Sequence, residues 1–146
     1  MPDQPHPTSG LLRRLAAGLY DGLLVIALLV IPTLLAMALR GGEPVPPGDL
    51  LFQALLLLTA GGFFTWFWSH GGQTLGMRAW RLRVEQQSGA PLSMRIALLR
   101  FGVSLVSVAA FGLGLLWILF DADQLAWHDR ATGTRVVVLP KRKKPP

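Results

Sequence analysis

The chain has 146 residues, 51% of them apolar and 15% charged, with 14 Lys and Arg against 8 Asp and Glu, a formal net charge of +6 and no cysteine. That length holds one domain, and a positive mean hydropathy with the apolar residues gathered in long blocks excludes an ordinary water-soluble core. The lack of cysteine excludes disulfides, thiolate zinc sites and cysteine nucleophiles, and no metal-ligand spacing or nucleophile–base–acid set is apparent, so neither a cofactor nor an enzyme is expected.

Residues 1–10, which include "MPDQPHPTS", are polar and proline-rich and are expected to be a disordered lead. "LLRRLAAGLYDGLLVIALLVIPTLLAMAL" follows, from Leu11 to Leu39. Its uncharged part from Leu23 to Leu39 spans roughly 25 Å as a helix, and reaching back to Leu15 makes it longer than the roughly 30 Å hydrocarbon core. Pro32 is tolerable in such a helix. A signal peptide is the competing reading, given the basic start and the small-residue triplet Ala36–Met37–Ala38. Against it stand the length of the run, Asp21 and the further apolar segments downstream.

"RGGEPVPPGD", residues 40–49, reads as a short exposed turn, and Leu50–Trp68 as a second span ending in "FFTWFW", whose tryptophans suit a headgroup boundary. The two spans predict a helical hairpin with both ends on the cytoplasmic side. From Ser69 to Ser93, "RLRVEQ" alternates and "QSGAP" supplies turn residues, which predicts a short surface strand. Gly71–Gly76 has the glycine spacing of a phosphate loop but continues into Met77 and Arg78, so nucleotide binding is rejected there. Ile96–Phe120 is a third apolar block, interrupted by Arg100 and by "FGLG", and "TRVVVL" looks like a second strand before a basic tail over residues 140–146.

The basic residues lie at the edges of these blocks, the pattern that orients membrane segments. No nucleic-acid reading element accompanies them, so nucleic acid is not an expected partner. Three full crossings from a cytoplasmic N-terminus would put the basic tail outside. Either the third block folds back near Gly112 and Gly114, letting "RLRV" pair with "TRVVVL", or it crosses once and leaves the tail external; the positive-inside rule favours the fold-back. The fold class expected is therefore an all-α membrane protein, a hairpin plus a third apolar segment, with short cytoplasmic strands.

Asp21 lies on the order of 9 Å down the first helix from Leu15, deep enough for an ionised carboxylate to need a partner. Arg14 is expected to snorkel to the headgroups, which leaves Arg100, the charge inside the third block, as the expected partner. Gly18 and Gly22 bracket Asp21 with the spacing that permits close helix packing. An ion pair that merely fixes helix register is the alternative of equal weight. His70 reads as structural, and His128 with Asp129 as either an interfacial cap or part of a site.

Four stretches together, "RRLAAGLYDGLLV", "GGQTLGMRAWRLRV", "GAPLSMRIALLR" and "FDADQLAWHDRATGTRVVV", resemble the RDD family of small bacterial membrane proteins over roughly residues 11–139. The resemblance implies that Arg14 (or Arg13), Asp21 and Asp129 are the family's named arginine and two aspartates. Met77 stands where many relatives carry Lys. It further implies an inner-membrane, multi-pass protein of poorly defined molecular function, with transport of cations or small ligands suggested. The expectation is a homo-oligomer, or a complex with another membrane protein, whose Arg14, Asp21, Asp129 and Arg100 form an ion or ligand cluster and whose basic tail meets anionic lipid headgroups. The rival is a non-transporting scaffold or assembly factor.

Overall fold

The structure, a computed structural model, describes residues 6–141. Helix α1 (Leu11–Leu39) and helix α2 (Leu50–Ser69) form the hairpin. The 29 residues of α1 reach about 44 Å. Both helices carry leucines around most of their circumference, and large side chains such as Leu23, Leu34 and Leu58 are exposed, as lipid-facing helices require. Gly41 closes α1 in the left-handed conformation. The Gly42 N–H bonds the Met37 carbonyl and the Gly41 N–H that of Ala38, which satisfies carbonyls at the helix end. The Asp49 carboxylate opens α2 by accepting the Phe52 N–H at 2.9 Å. Within α2 the hydroxyls of Thr59, Thr65 and Ser69 each donate to the carbonyl four residues back, the partner available to them inside an apolar helix.

Beyond α2 come the single-turn helix α3 (Leu75–Ala79), strand β1 (Leu82–Gln86), α4 (Met94–Ala109), α5 (Leu113–Leu116) with a 3₁₀ turn over Trp117–Leu119, α6 (Trp127–Thr132) and strand β2 (Thr134–Val138). After Ala109 the chain bends by 102° into α5. Gly112 is left-handed at that bend, and at Gly114 a side chain would collide with Ser107 of α4 and come within 2.9 Å of Trp127 in α6, so the fold-back needs glycine. The bend lies at the glycines where the sequence suggested it, so the third block is not one straight helix.

β1 and β2 pair antiparallel with Val84 opposite Val136 and Glu85 opposite Arg135. Glu85 is buried and accepts from Arg135 at 2.7 Å and from Arg83 at 2.9 Å; burial works against its charge, but the two guanidiniums win and hold the carboxyl below its usual range. Thr8 bridges to Val137, the Ser9 N–H donates to the Val136 carbonyl, and the Val138 N–H donates to that of Pro7. The expectation of a disordered lead through residue 10 is thus corrected for Pro7–Ser9, which join the edge of β2 because its backbone groups are open there; residues 1–5 lie outside the described residues, as do residues 142–146 of the basic tail.

The apolar core sits entirely at this end of the hairpin. Ala17, Trp68, Met77, Leu82, Val84, Ala97 and Val136 are buried together, with Phe64 and Phe101 stacked against them. The first turns of α1 through Gly22, the end of α2 from Gly61 and everything after α2 form a head, and the rest of α1 and α2 projects from it as an arm.

Candidate functional site

Three residues of α1 are buried, Arg14, Ala17 and Asp21, spaced three and four apart on one face. That face meets the head, and each of its two charges is held differently.

Each of the three guanidinium nitrogens of Arg14 is engaged. Nε donates to the Ser9 hydroxyl at 3.0 Å and to the Ser9 carbonyl at 3.2 Å, Nη2 donates to the Gln124 carbonyl at 3.0 Å, and Nη1 meets Asp129 Oδ2 at 2.5 Å. It does not snorkel to the headgroups: the turn before α1 and the loop before α6 supply acceptors where it stands, and it is buried. Among the described residues Arg13 makes no such contacts, so of the pair Arg14 is the one that the head uses.

Asp129 is fully buried at the start of α6. Its Oδ2 also accepts the Ala126 N–H at 3.0 Å, closing the first turn, and its Oδ1 takes Arg100 Nη1 at 2.5 Å. Burial opposes its ionisation, yet Arg100 and Arg14 outweigh burial and hold the carboxyl well below the ordinary aspartate value. The Arg100 Nη1 also donates to the Thr134 hydroxyl at 2.6 Å, and the guanidinium lies 5.2 Å over the Trp68 ring, a cation–π contact. Next door, His128 is driven down to about 3 by burial and by the two arginines, against the pull of Asp129, so its ring is neutral near pH 7.

Arg100 therefore does not pair with Asp21, as expected, but with Asp129. The cause is packing: α4 carries Arg100 against α6. Asp21 instead faces α3, where its Oδ1 accepts the Gly76 N–H at 2.8 Å and its other oxygen accepts the Thr74 hydroxyl. Thr74 in turn caps α3 by accepting the Met77 N–H at 3.2 Å. Asp21 is thus a cap supplied from another helix, satisfying the orphan donors at the start of a helix one turn long. Among the described residues it forms no ion pair.

The glycine-mediated contact is also displaced from where the spacing put it. A side chain at Gly18 or Gly22 would meet nothing within 4 Å, because both lie off the Arg14–Ala17–Asp21 face. Gly76 is the close-approach glycine: a Cβ there would collide with the Ala17 carbonyl oxygen and lie 2.9 Å from the Asp21 carboxylate. Gly18 borders instead a cavity of about 190 Å³ between α1, α2, α4 and α6, whose polar wall is Arg14, Asp21, Thr74, Arg100 and His128.

Of the residues singled out in the sequence, Arg14, Arg100 and Asp129 come into contact, and Asp21 shares their cavity without touching them. Thr74, Gly76, Ser9 and Thr134 complete the arrangement and were not anticipated; a threonine directly before "LGMRA" is the one local signal, as a helix cap, that could have pointed to Thr74. A family model described as RDD family matches residues 8–133. No curated protein and no solved structure matches the chain.

Proposed function

Because the chain belongs to the RDD family, and because that family and two apolar helices of spanning length point to a membrane protein, we propose that it is a multi-pass protein of the bacterial inner membrane that binds and passes an ion or small polar ligand at its Arg/Asp cluster. The observation that carries this reading is the cavity walled by Arg14, Asp21, Arg100 and His128, since ionisable groups placed against apolar helices are costly and collect where a polar species is handled. The arginines of the head, among them Arg78, Arg81, Arg83, Arg95 and Arg130, favour the cytoplasm for that end, and the 40–49 turn takes the opposite side. Two spans and a bent third segment enclose no pathway in one copy, so the working unit is a homo-oligomer. Anionic headgroups face the basic end.

The test is flux in proteoliposomes, followed with internal pH- and anion-sensitive dyes, for wild type and Asp21→Asn. Wild type is expected to dissipate an imposed gradient and the variant to be at least several-fold slower; equal rates remove Asp21 from the process. The scaffold reading draws on a different observation, the bonding of Asp129 to both arginines, which ties α1, α4 and α6 into one frame. It gains if no gradient is dissipated and a co-purifying membrane protein reproduces the deletion phenotype when lost.

A further inference from the structure

Two cations, Arg14 and Arg100, share one carboxylate, Asp129, so the buried triad carries an excess positive charge. Every guanidinium nitrogen of Arg14 is bonded. Those of Arg100 are not: among the described residues only Nη1 donates, and Nε is buried without a partner. The residue is 3% exposed, so bulk water does not reach it freely. A charged donor left unsatisfied in such a place is expensive, about 1–3 kcal/mol or more. The second unpartnered buried atom is His128 Nδ1, on a residue lining the same cavity. As Nε2 of that ring stands 3.9 Å from Asp129, too far for a hydrogen bond, Nδ1 is free to carry the proton of the neutral imidazole and donate it.

We propose that this cavity is a binding site for a small oxyanion, a carboxylate or phosphate group, received at Arg100 and His128, two lining residues whose Nε and Nδ1 the protein itself leaves without an acceptor among the described residues. The proposal rests on the ligand-binding reading above and names its chemical class. The Nε–Nη2 edge of a guanidinium is a planar fork that matches two oxygens of such a group. Water could satisfy the N–H groups but would leave the excess charge uncompensated against Phe64, Trp68 and Leu115, whereas an oxyanion does both. The volume of about 190 Å³ equals that of about six waters in the liquid, enough for acetate or phosphate. Asp21, the remaining acid of the wall, does not supply the missing charge to Arg100, being turned to Thr74 and Gly76. Gly18 keeps the cavity's edge bare, having no atom within 4 Å of where its Cβ would be.

Purified full-length protein in nanodiscs of neutral phosphatidylcholine is titrated with acetate and with inorganic phosphate, binding being read by saturation-transfer and phosphorus NMR. A second set of discs contains phosphatidylglycerol. Saturable binding at millimolar concentration or tighter is expected in wild type. Competition by phosphatidylglycerol identifies the lipid phosphate as the source, and undisturbed binding identifies a free anion. Arg100→Lys keeps a cation for Asp129 but loses the fork, and Gly18→Leu fills the cavity's edge while leaving all three charges of the triad in place; each is expected to weaken binding at least tenfold. Should Arg100→Lys fail to fold, Gly18→Leu decides alone. No saturable binding of acetate, phosphate or phosphatidylglycerol to wild type, or wild-type affinity in either folded variant, overturns the proposal. Cation flux without anion binding sinks this inference only, while anion binding without any flux sinks transport and leaves the site standing.

Discussion

The head and the arm are made from the same chain by opposite rules. In the arm, Leu23 to Leu58 bury almost nothing against the protein, and the side chains that would be a core in water face outward. In the head, Arg14, Asp21, Glu85, Arg100 and Asp129 are all buried, each with hydrogen-bonded partners. The comparison teaches that little beyond hydropathy and length specifies the arm, whereas the head is specified residue by residue, because a charge or N–H buried there has no solvent to turn to.

The largest effect expected is at Asp129. Asp129→Ala leaves two arginine cations facing each other in a buried place, and removing one partner of such a set costs about 3–5 kcal/mol. Thermal unfolding in detergent should therefore show a large drop in midpoint, or no folded protein at all. A midpoint within a few degrees of wild type would mean that the head is not held by its charges.

His128 offers a smaller, pH-dependent test. Its folded value, about 3, lies below the ordinary 6.5, so the neutral ring contributes fully above pH 6.5 and that contribution is lost as pH falls toward 3. With 1.36 kcal/mol per unit, stability should fall by roughly 2 kcal/mol between about pH 7.5 and 5. Asp129, whose value is lowered, loses its contribution only below the ordinary 3.8 and stays out of that window. His128→Asn should flatten the slope; a variant as pH-sensitive as wild type would place the titration elsewhere. The smallest effect belongs to the arm, where Leu34→Ala, at a side chain 60% exposed, should change the detergent midpoint by no more than the equivalent of about 0.5 kcal/mol. A cost comparable to a core truncation would show that another surface covers Leu34.

The same contrast explains what the sequence disclosed. The hairpin was legible because helices of spanning length need only length and hydropathy, which Leu11–Leu39 and Leu50–Trp68 display without reference to any neighbour. The strand pair was legible from alternation in "RLRVEQ" and "TRVVVL". Arg14, Asp21, Arg100 and Asp129 could be picked out as charges in or beside apolar blocks, but their pairing could not, since Asp129 reaches Arg14 across 115 residues and Arg100 across 29, separations on which periodicity is silent. Gly76 was noticed for the wrong reason, as part of a glycine spacing, when its task is to let α3 lie on the Ala17 carbonyl. The exchange of Arg100's expected partner follows from α3, a helix of five residues that hydrophobic periodicity is too coarse to reveal.

The pairing of Pro7–Ser9 with the edge of β2 has a consequence for how the molecule is made. Residues just ahead of α1 bond to a strand synthesised long after them, so the nascent chain must hold that segment and Arg14 without their companions until Asp129 and Val137 have been made. Completion of the head therefore waits on α6 and β2, and a ribosome-stalled chain ending before α6 should expose to protease the short stretch ahead of the first helix.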